Sequence, residues 1–291
     1  MDKLVILGGT GFLGQSLLNN LEKKQSIKVM IHNTDSLNNV KKFHGNILKQ
    51  NSFHKEICHN DTILNLIGQI SPNISDYADS NIVGALNLLN TCVEKKIKRI
   101  ILMSSIHVYG ENLKSASKET DSLKPKTQYG LVKMITEQIY EYFSKNYDLD
   151  VTVLRLGGLY GPFKKTGLIS QLFKSVNNSK VNPILYNNGE QFRDLLHVDD
   201  AVNGIKNAIE TPVKKFEIFN ISSGHRYSMN HFVSLLELIS NKKIPVKYTS
   251  EIIDEKCIWA NNSKAKKILN FKPKISLTNG IKSTLNYHSD D

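Results

Sequence analysis

Four apolar residues, Leu4-Val5-Ile6-Leu7, run straight into Gly8-Gly9-Thr10-Gly11-Phe12-Leu13-Gly14, and a helix-forming segment follows over 12–24. A strand that ends on glycines spaced three apart and restarts as a helix leaves few folds open. The glycines permit a tight turn, a close approach of backbone to a ligand and close packing of helix on strand, while the free N–H groups of the helix start face any phosphate placed there. Ile27-Lys28-Val29-Met30-Ile31 reads as a second strand and completes a βαβ unit. Strands over 62–67, 99–103 and 151–155 then alternate with helices over 81–96 and 128–146. This alternation predicts an α/β fold of the Rossmann type, a doubly wound parallel sheet.

After Gly161-Pro162 the pattern turns irregular. Residues 1–162 are therefore expected to form the NAD(P)-binding Rossmann domain. Residues 163–291 are expected to form a smaller C-terminal α/β lobe for the substrate, with about 198–220 returning to the first domain. Helices are expected over 199–209 and 228–240, a strand over 216–220, and two short helices from Ser263 onward, broken by Pro273.

Composition excludes several classes. Hydrophobic residues make up 40% and charged residues 22% of the 291, with no low-complexity run, so the chain is expected to fold throughout. The net charge of +11 comes from dispersed lysine pairs such as Lys41-Lys42, Lys95-Lys96 and Lys266-Lys267 without interleaved aromatics. No nucleic-acid surface is expected; the positive field would instead draw in phosphate-bearing ligands. Cys58, Cys92 and Cys257 are odd in number and show no C-x-x-C spacing, which predicts neither disulfides nor zinc and fits a cytoplasmic protein. The first apolar segment is too short for a leader or membrane span, and the histidines have no metal-ligand spacing, so neither a membrane nor a metal is expected.

Tyr129 and Lys133 lie four residues apart in a predicted helix, on one face. A phenol ionises near pH ~10, and a neighbouring ammonium favours the phenolate, which predicts a tuned acid and base. Hydride transfer at an alcohol carbon needs such a group, and Ser105 can hold the same oxygen. At the end of the second strand stand His32-Asn33-Thr34, where an acid usually meets a free ribose 2′-hydroxyl. Without that carboxylate a 2′-phosphate is not repelled, and the reading favours NADP over NAD, with His32 and Asn33 at the ribose.

Together these segments resemble the extended short-chain dehydrogenase/reductase superfamily, and within it the NAD(P)-dependent epimerase/dehydratase family acting on nucleotide sugars. The resemblance rests on Gly8 to Gly14, Asn81-x-x-Gly84, Ser104-Ser105 with Val108-Tyr109-Gly110, Tyr129 to Lys133, and Leu154-Arg155 with Tyr160-Gly161-Pro162. Arg193-Asp194, His197-Val198-Asp199-Asp200 and the tail Lys264 to Leu269 extend it over nearly the whole chain. It implies Tyr129 as acid or base, Lys133 holding the nicotinamide ribose and lowering the tyrosine pKa, and Ser105 on the reacting oxygen. It also implies Gly8, Thr10, Gly11, Phe12, Leu13 and Gly14 at the cofactor, Asn46-Ile47 flanking adenine, Leu66-Ile67-Gly68 lining the cofactor groove, and Arg193 on the substrate diphosphate. For Arg193 the alternative is a salt bridge to Asp194 or Asp199.

Departures from the family pattern narrow the reaction. Ile106-His107 replace the Asp-Glu pair with which the dehydratases eliminate water, so dehydration is not expected. By the resemblance His107 stands where the GDP-fucose synthase type of enzyme carries a cysteine that exchanges ring protons, so it is expected at the substrate either in that chemistry or simply lining the pocket; Phe163, not a histidine, follows Gly161-Pro162, which argues against two-base 3,5-epimerisation. The leading expectation is an NAD(P)H-dependent reductase of the 4-keto group of a nucleotide-linked deoxysugar, with Tyr129 as proton donor. The alternatives are an NAD-dependent C4 epimerase and a non-catalytic NADPH-binding subunit or sensor. Family analogy predicts a homodimer through the 81–96 and 128–146 helices.

Overall fold

The computed structural model describes residues 4–21, 26–33, 37–68 and 74–289. The elements, in chain order, are β1 (Leu4–Leu7), α1 (Phe12–Asn19), β2 (Ile27–Ile31), β3 (Lys41–His44), β4 (Thr62–Asn65), α2 (Ile74–Ala78), α3 (Gly84–Glu94), β5 (Arg99–Ser105), α4 (Gln128–Asn146), β6 (Asp150–Leu156) and β7 (Gly158–Tyr160). There follow α5 (Leu168–Asn177), β8 (Ile184–Leu185), β9 (Phe192–Arg193), β10 (Leu195–His197), α6 (Val198–Glu210), β11 (Phe216–Ile221), β12 (Tyr227–Ser228), α7 (Met229–Ser240), β13 (Lys247–Tyr248), β14 (Cys257–Ile258), α8 (Ser263–Ile268) and α9 (Leu277–Ser289).

Seven strands form one sheet in the order β11-β6-β5-β4-β1-β2-β3, and every neighbouring pair is parallel. The central strands are apolar on both faces because both faces are covered. Ile6, Leu64, Ile101 and Leu154 enter one core cluster with helix α6, whereas Val5, Leu7, Ile63, Leu102 and Val153 enter the other with α3 and α4. This is the two-residue period of a strand shared between two cores. The direction of winding reverses between β1 and β4, so the loops leaving their carboxyl ends part and open a crevice there.

Differences from the sequence reading have local causes. Strand β3 was not expected: in Lys41-Lys42-Phe43-His44 only Phe43 is buried, so this edge strand lacks an apolar signature. The strand expected over 62–67 stops at Asn65, whose Oδ1 accepts from Ile67 N at 3.0 Å while its Nδ2 donates to the Tyr140 hydroxyl at 2.8 Å, bending the chain away. The helix expected from Asn81 starts earlier, at Ile74, and reaches α3 through a widened π turn over Asp79–Val83.

Beyond the sheet, Tyr160, Leu172, Phe173, Phe232, Leu236 and Ile281 form a separate core among α5, α7 and α9. Helix α6 and strand β11 belong to the sheet layer, and so does the later tail, since Ala265, Leu269 and Phe271 pack into the core on that side. Among the described residues no helix is long and apolar enough to cross a membrane.

Candidate active site

Because the sheet is parallel, the segments following β1, β2, β3, β4 and β5 all emerge at one end. That places Gly8 to Gly14, His32 and Asn33, Asn46 and Ile47, Leu66 to Gly68, and Ser105 to His107 along a common rim. Gly8 has φ +81°, and a Cβ there would lie 2.9 Å from the Leu66 carbonyl carbon, so the two loops touch through backbone alone. At Gly14 a Cβ would meet Gly9 Cα at 2.5 Å. Helix α1 starts from Gly11 with no side-chain cap, which leaves its first amides to a ligand. Thr10, Phe12 and Leu13 are half-buried on this turn, and Ile47 packs against Gly84. His32 and Asn33 are exposed at the end of β2; Thr34 lies outside the described residues. The rim thus has the bare turn, the free helix N-terminus and the apolar groove that a dinucleotide requires.

Helix α4 begins where Thr127 accepts from Gly130 N at 3.1 Å, and it carries Tyr129 in its first turn and Lys133 in its second. The buried Lys133 ammonium donates to Asn81 Oδ1 at 3.0 Å and to the Met103 carbonyl at 3.1 Å. Its path runs over Gly68, where any Cβ would collide with Nζ. Burial pulls its pKa from 10.5 down to about 8, against an upward pull from Glu137. Asn81 is therefore the residue that holds this lysine, a role invisible in its sequence motif.

The Tyr129 ring stacks on Tyr77 with centroids 5.6 Å apart and meets the His107 ring edge-on at 5.6 Å. Burial pushes the Tyr129 hydroxyl above its ordinary pKa, and a hydrogen bond with Ser105 pulls it partly back. The lowering by Lys133 expected from their spacing is thus not what the fold delivers. The ammonium is engaged by Asn81 and Met103, and desolvation of the phenol dominates. Ser105 itself is buried at the end of β5, its hydroxyl accepting from His107 N at 3.3 Å.

One helical turn beyond Lys133, Glu137 is buried in a bidentate pair with Arg155, at 3.0 Å from Nε and 2.6 Å from Nη2, and also accepts from Ser104. Arg155 donates onward to the Tyr109 hydroxyl at 2.8 Å, which donates to Asn220 Oδ1 at 2.8 Å. This network ties α4, β5, β6 and β11 together beneath the Tyr129 and Lys133 positions.

Facing the rim, a cavity of about 670 Å³ is lined by His107, Gly158, Lys164, Arg193, Asp254 and other residues. Arg193 lines it, and its salt-bridge partner is neither Asp194 nor Asp199. It is Asp254, 2.6 Å from Nη2, while Nη1 donates to the Glu255 carbonyl at 2.8 Å. Asp194 is buried and turned instead to Ser223 and Ala260 N. His107 Nδ1 lies 3.3 Å from the Glu255 carboxylate. Lys164 sits 5.1 Å over the Phe12 ring, linking the cavity to the glycine turn, and burial lowers its pKa. Tyr77, Asp254, Glu255 and Lys164 were not anticipated, because none lies in a recognisable pattern. Among the described residues no His, Cys, Asp and Glu cluster could hold a metal.

Residues 4–222 match the NAD dependent epimerase/dehydratase family. The chain belongs to that family. It is 31% identical over 219 residues to a UDP-glucuronate 4-epimerase of Thermodesulfobacterium geofontis, spanning 74% of this chain and 67% of the relative. An uncharacterized UDP-glucose epimerase of Bacillus subtilis is 26% identical over 312 residues, covering 99% and 98% of the two chains. Among solved structures, the UDP-glucose 4-epimerase of Thermotoga maritima with UDP-glucose superposes with a TM-score of 0.89 at 27% identity, covering 99% of each chain. The family member is thus of the extended short-chain dehydrogenase/reductase type, and its relatives are NAD-dependent nucleotide-sugar epimerases and dehydratases.

Proposed function

We propose that this protein is a nucleotide-sugar 4-epimerase that keeps NAD bound through its catalytic cycle. The observation that carries this reading is the placement of Tyr129 against Ser105 and beside His107, which lines a roomy cavity together with Arg193. NAD would be held by the Gly8 to Gly14 turn and the Lys133 side of the rim, and when bound it would supply the hydride acceptor and donor for the sugar C4. Ser105 hydrogen-bonds the C4 oxygen, and Tyr129 takes the hydroxyl proton and gives it back. Lys133 fixes a positive charge beside the cofactor groove, held by Asn81. Inversion requires the ketone to present its other face, and Gly158 on the cavity wall leaves room for that turn. Arg193 exchanges part of its Asp254 contact for the substrate diphosphate, a ligand suited to its forked geometry.

The 4-keto reductase that led the expectations has less support. Among the described residues the exposed His32 and Asn33 offer no built phosphate site, and two of the relatives quoted above are 4-epimerases. Exposed Val83 and Leu86 on one helix and Leu131 and Tyr142 on α4 form apolar faces suited to the predicted homodimer, and the free thiols suit a cytoplasmic location. The test is to heat-denature purified protein, identify the released cofactor, and incubate native protein with UDP-glucose and UDP-glucuronate without additions. Released NAD and the C4 epimers by NMR are expected. NADPH consumption on a 4-keto sugar with no epimerisation would instead establish the reductase.

A further inference from the structure

Drawing an ammonium out of water is unfavourable unless other oxygens replace the water. Lysines pulled into this fold follow that rule: Lys28 donates to the Glu56 carbonyl, Lys133 to Asn81 and Met103, and Lys264 to Glu217. Lys164 does not. It is half-buried on the cavity wall, and among the described residues its ammonium enters no ion pair and donates no hydrogen bond, resting only on the Phe12 ring at 5.1 Å. Burial pulls its pKa below the ordinary 10.5, and no carboxylate draws it back.

The turn that carries Lys164 is held in an unfavourable conformation. Phe163 has φ +68°, a left-handed backbone that a bulky side chain rarely adopts. This reversal seats the Phe163 ring against Tyr287 of α9, with centroids 4.6 Å apart, while Lys164 turns the other way, onto the glycine turn. Arg193, the other lysine or arginine that lines the cavity among the described residues, is already matched by Asp254. Lys164 is the unmatched positive charge of that wall.

Its place on the wall decides which part of a sugar it meets. In a pyranose ring C1 and C4 are opposite corners, whereas C5, which bears C6, adjoins C4. A sugar that brings C4 to Ser105 and Tyr129 directs its C1 diphosphate away from the cofactor side, toward the lobe where Arg193 stands on β9. Phe12 opens α1 on the cofactor side, so a cation resting on it lies at the C4 end of the ring, next to C6. Gly158 on the same wall adds no side chain to fill that space.

We propose that Lys164 is a specificity-determining residue that binds a carboxylate at C6 of the substrate sugar, so that the site favours a nucleotide-linked hexuronate over the neutral hexose. This rests on the 4-epimerase reading for the choice of C4 as the carbon that faces Tyr129. The ammonium has already lost part of its hydration, so a carboxylate gains a charge-assisted hydrogen bond from it, whereas a neutral hydroxymethyl group leaves the charge unmatched.

Calorimetric titration tests this without needing turnover. Protein saturated with NAD is titrated with UDP-glucuronate, UDP-glucose and UDP, and in parallel with the corresponding dTDP compounds. Wild-type protein should bind the uronate about tenfold more tightly than the hexose in at least one series, Lys164→Met should bring that ratio to about one, and Lys164→Arg, which keeps the charge, should retain most of it. A wild-type ratio near one in both series, or a ratio that survives in Lys164→Met, would overturn the proposal. An equal loss of affinity for the uronate, the hexose and the free diphosphate in Lys164→Met would also overturn it, marking a diphosphate clamp, and so would a loss of bound NAD, marking a cofactor residue. The predicted ratio with no C4 epimer formed would sink the 4-epimerase reading and leave the selectivity of Lys164 standing.

Discussion

The two walls of the site are built differently. On the sheet side, Glu137 and Arg155 form a fully buried, multiply bonded pair that fixes α4 against β5 and β6. On the lobe side, the Arg193–Asp254 pair is only partly buried, with side-chain exposures of 15% and 27%, and it borders the cavity. In the proposed reaction the first wall would hold the reacting groups in place, and the second would present partly solvated charges to a substrate. Rigid placement of chemistry and adaptable placement of binding are thus separated within a single site.

Mutations can break this contrast. The largest effect should come from Tyr129→Phe, which removes the proton carrier and should lower kcat about 10²–10⁴-fold while leaving the melting temperature nearly unchanged. Glu137→Ala strands the Arg155 charge in the core and should cost about 3–5 kcal/mol in urea unfolding. On the other wall, Asp254→Ala should cost under about 1 kcal/mol.

Lys133 sharpens the comparison through pH. Its folded pKa, near 8, is below the ordinary 10.5 because burial penalises the ammonium. The unfolded chain binds more protons between these values, so this contribution is fully present above pH 10.5, fades as pH falls, and is gone below about 8. Between pH 8 and 10 the wild type should therefore gain stability relative to Lys133→Met, approaching about 3 kcal/mol over the full window. Flat difference curves would show that the ammonium is not desolvated. The smallest effect should be at Arg193: Arg193→Ala should raise KM about tenfold with little change in kcat, marking a group that binds without reacting.

The same division explains what was legible in the sequence. Helix α4 was read to its ends, and its Tyr129 and Lys133 face with it, because helical periodicity is a local feature. The glycine turn, Ser105 and the parallel sheet followed from patterns a few residues long. Glu255 and Asp254 were not visible, since each acts only after β14 pairs with β9 and carries its segment beneath the 106–109 turn and Arg193. The direction of the Tyr129 shift was misjudged for a related reason. Spacing brings Lys133 to the same face, but only the packed structure shows Asn81 and Met103 claiming its ammonium.

The central claim is that one bound cofactor takes a hydride from C4 and returns it to the same carbon. It is tested by giving the purified protein UDP-glucose deuterated at C4, with a pool of unlabelled free NADH present, and analysing the epimer by mass spectrometry and NMR. Full retention of deuterium at C4 in the product is the predicted result. Loss of the label to the free cofactor pool would contradict it.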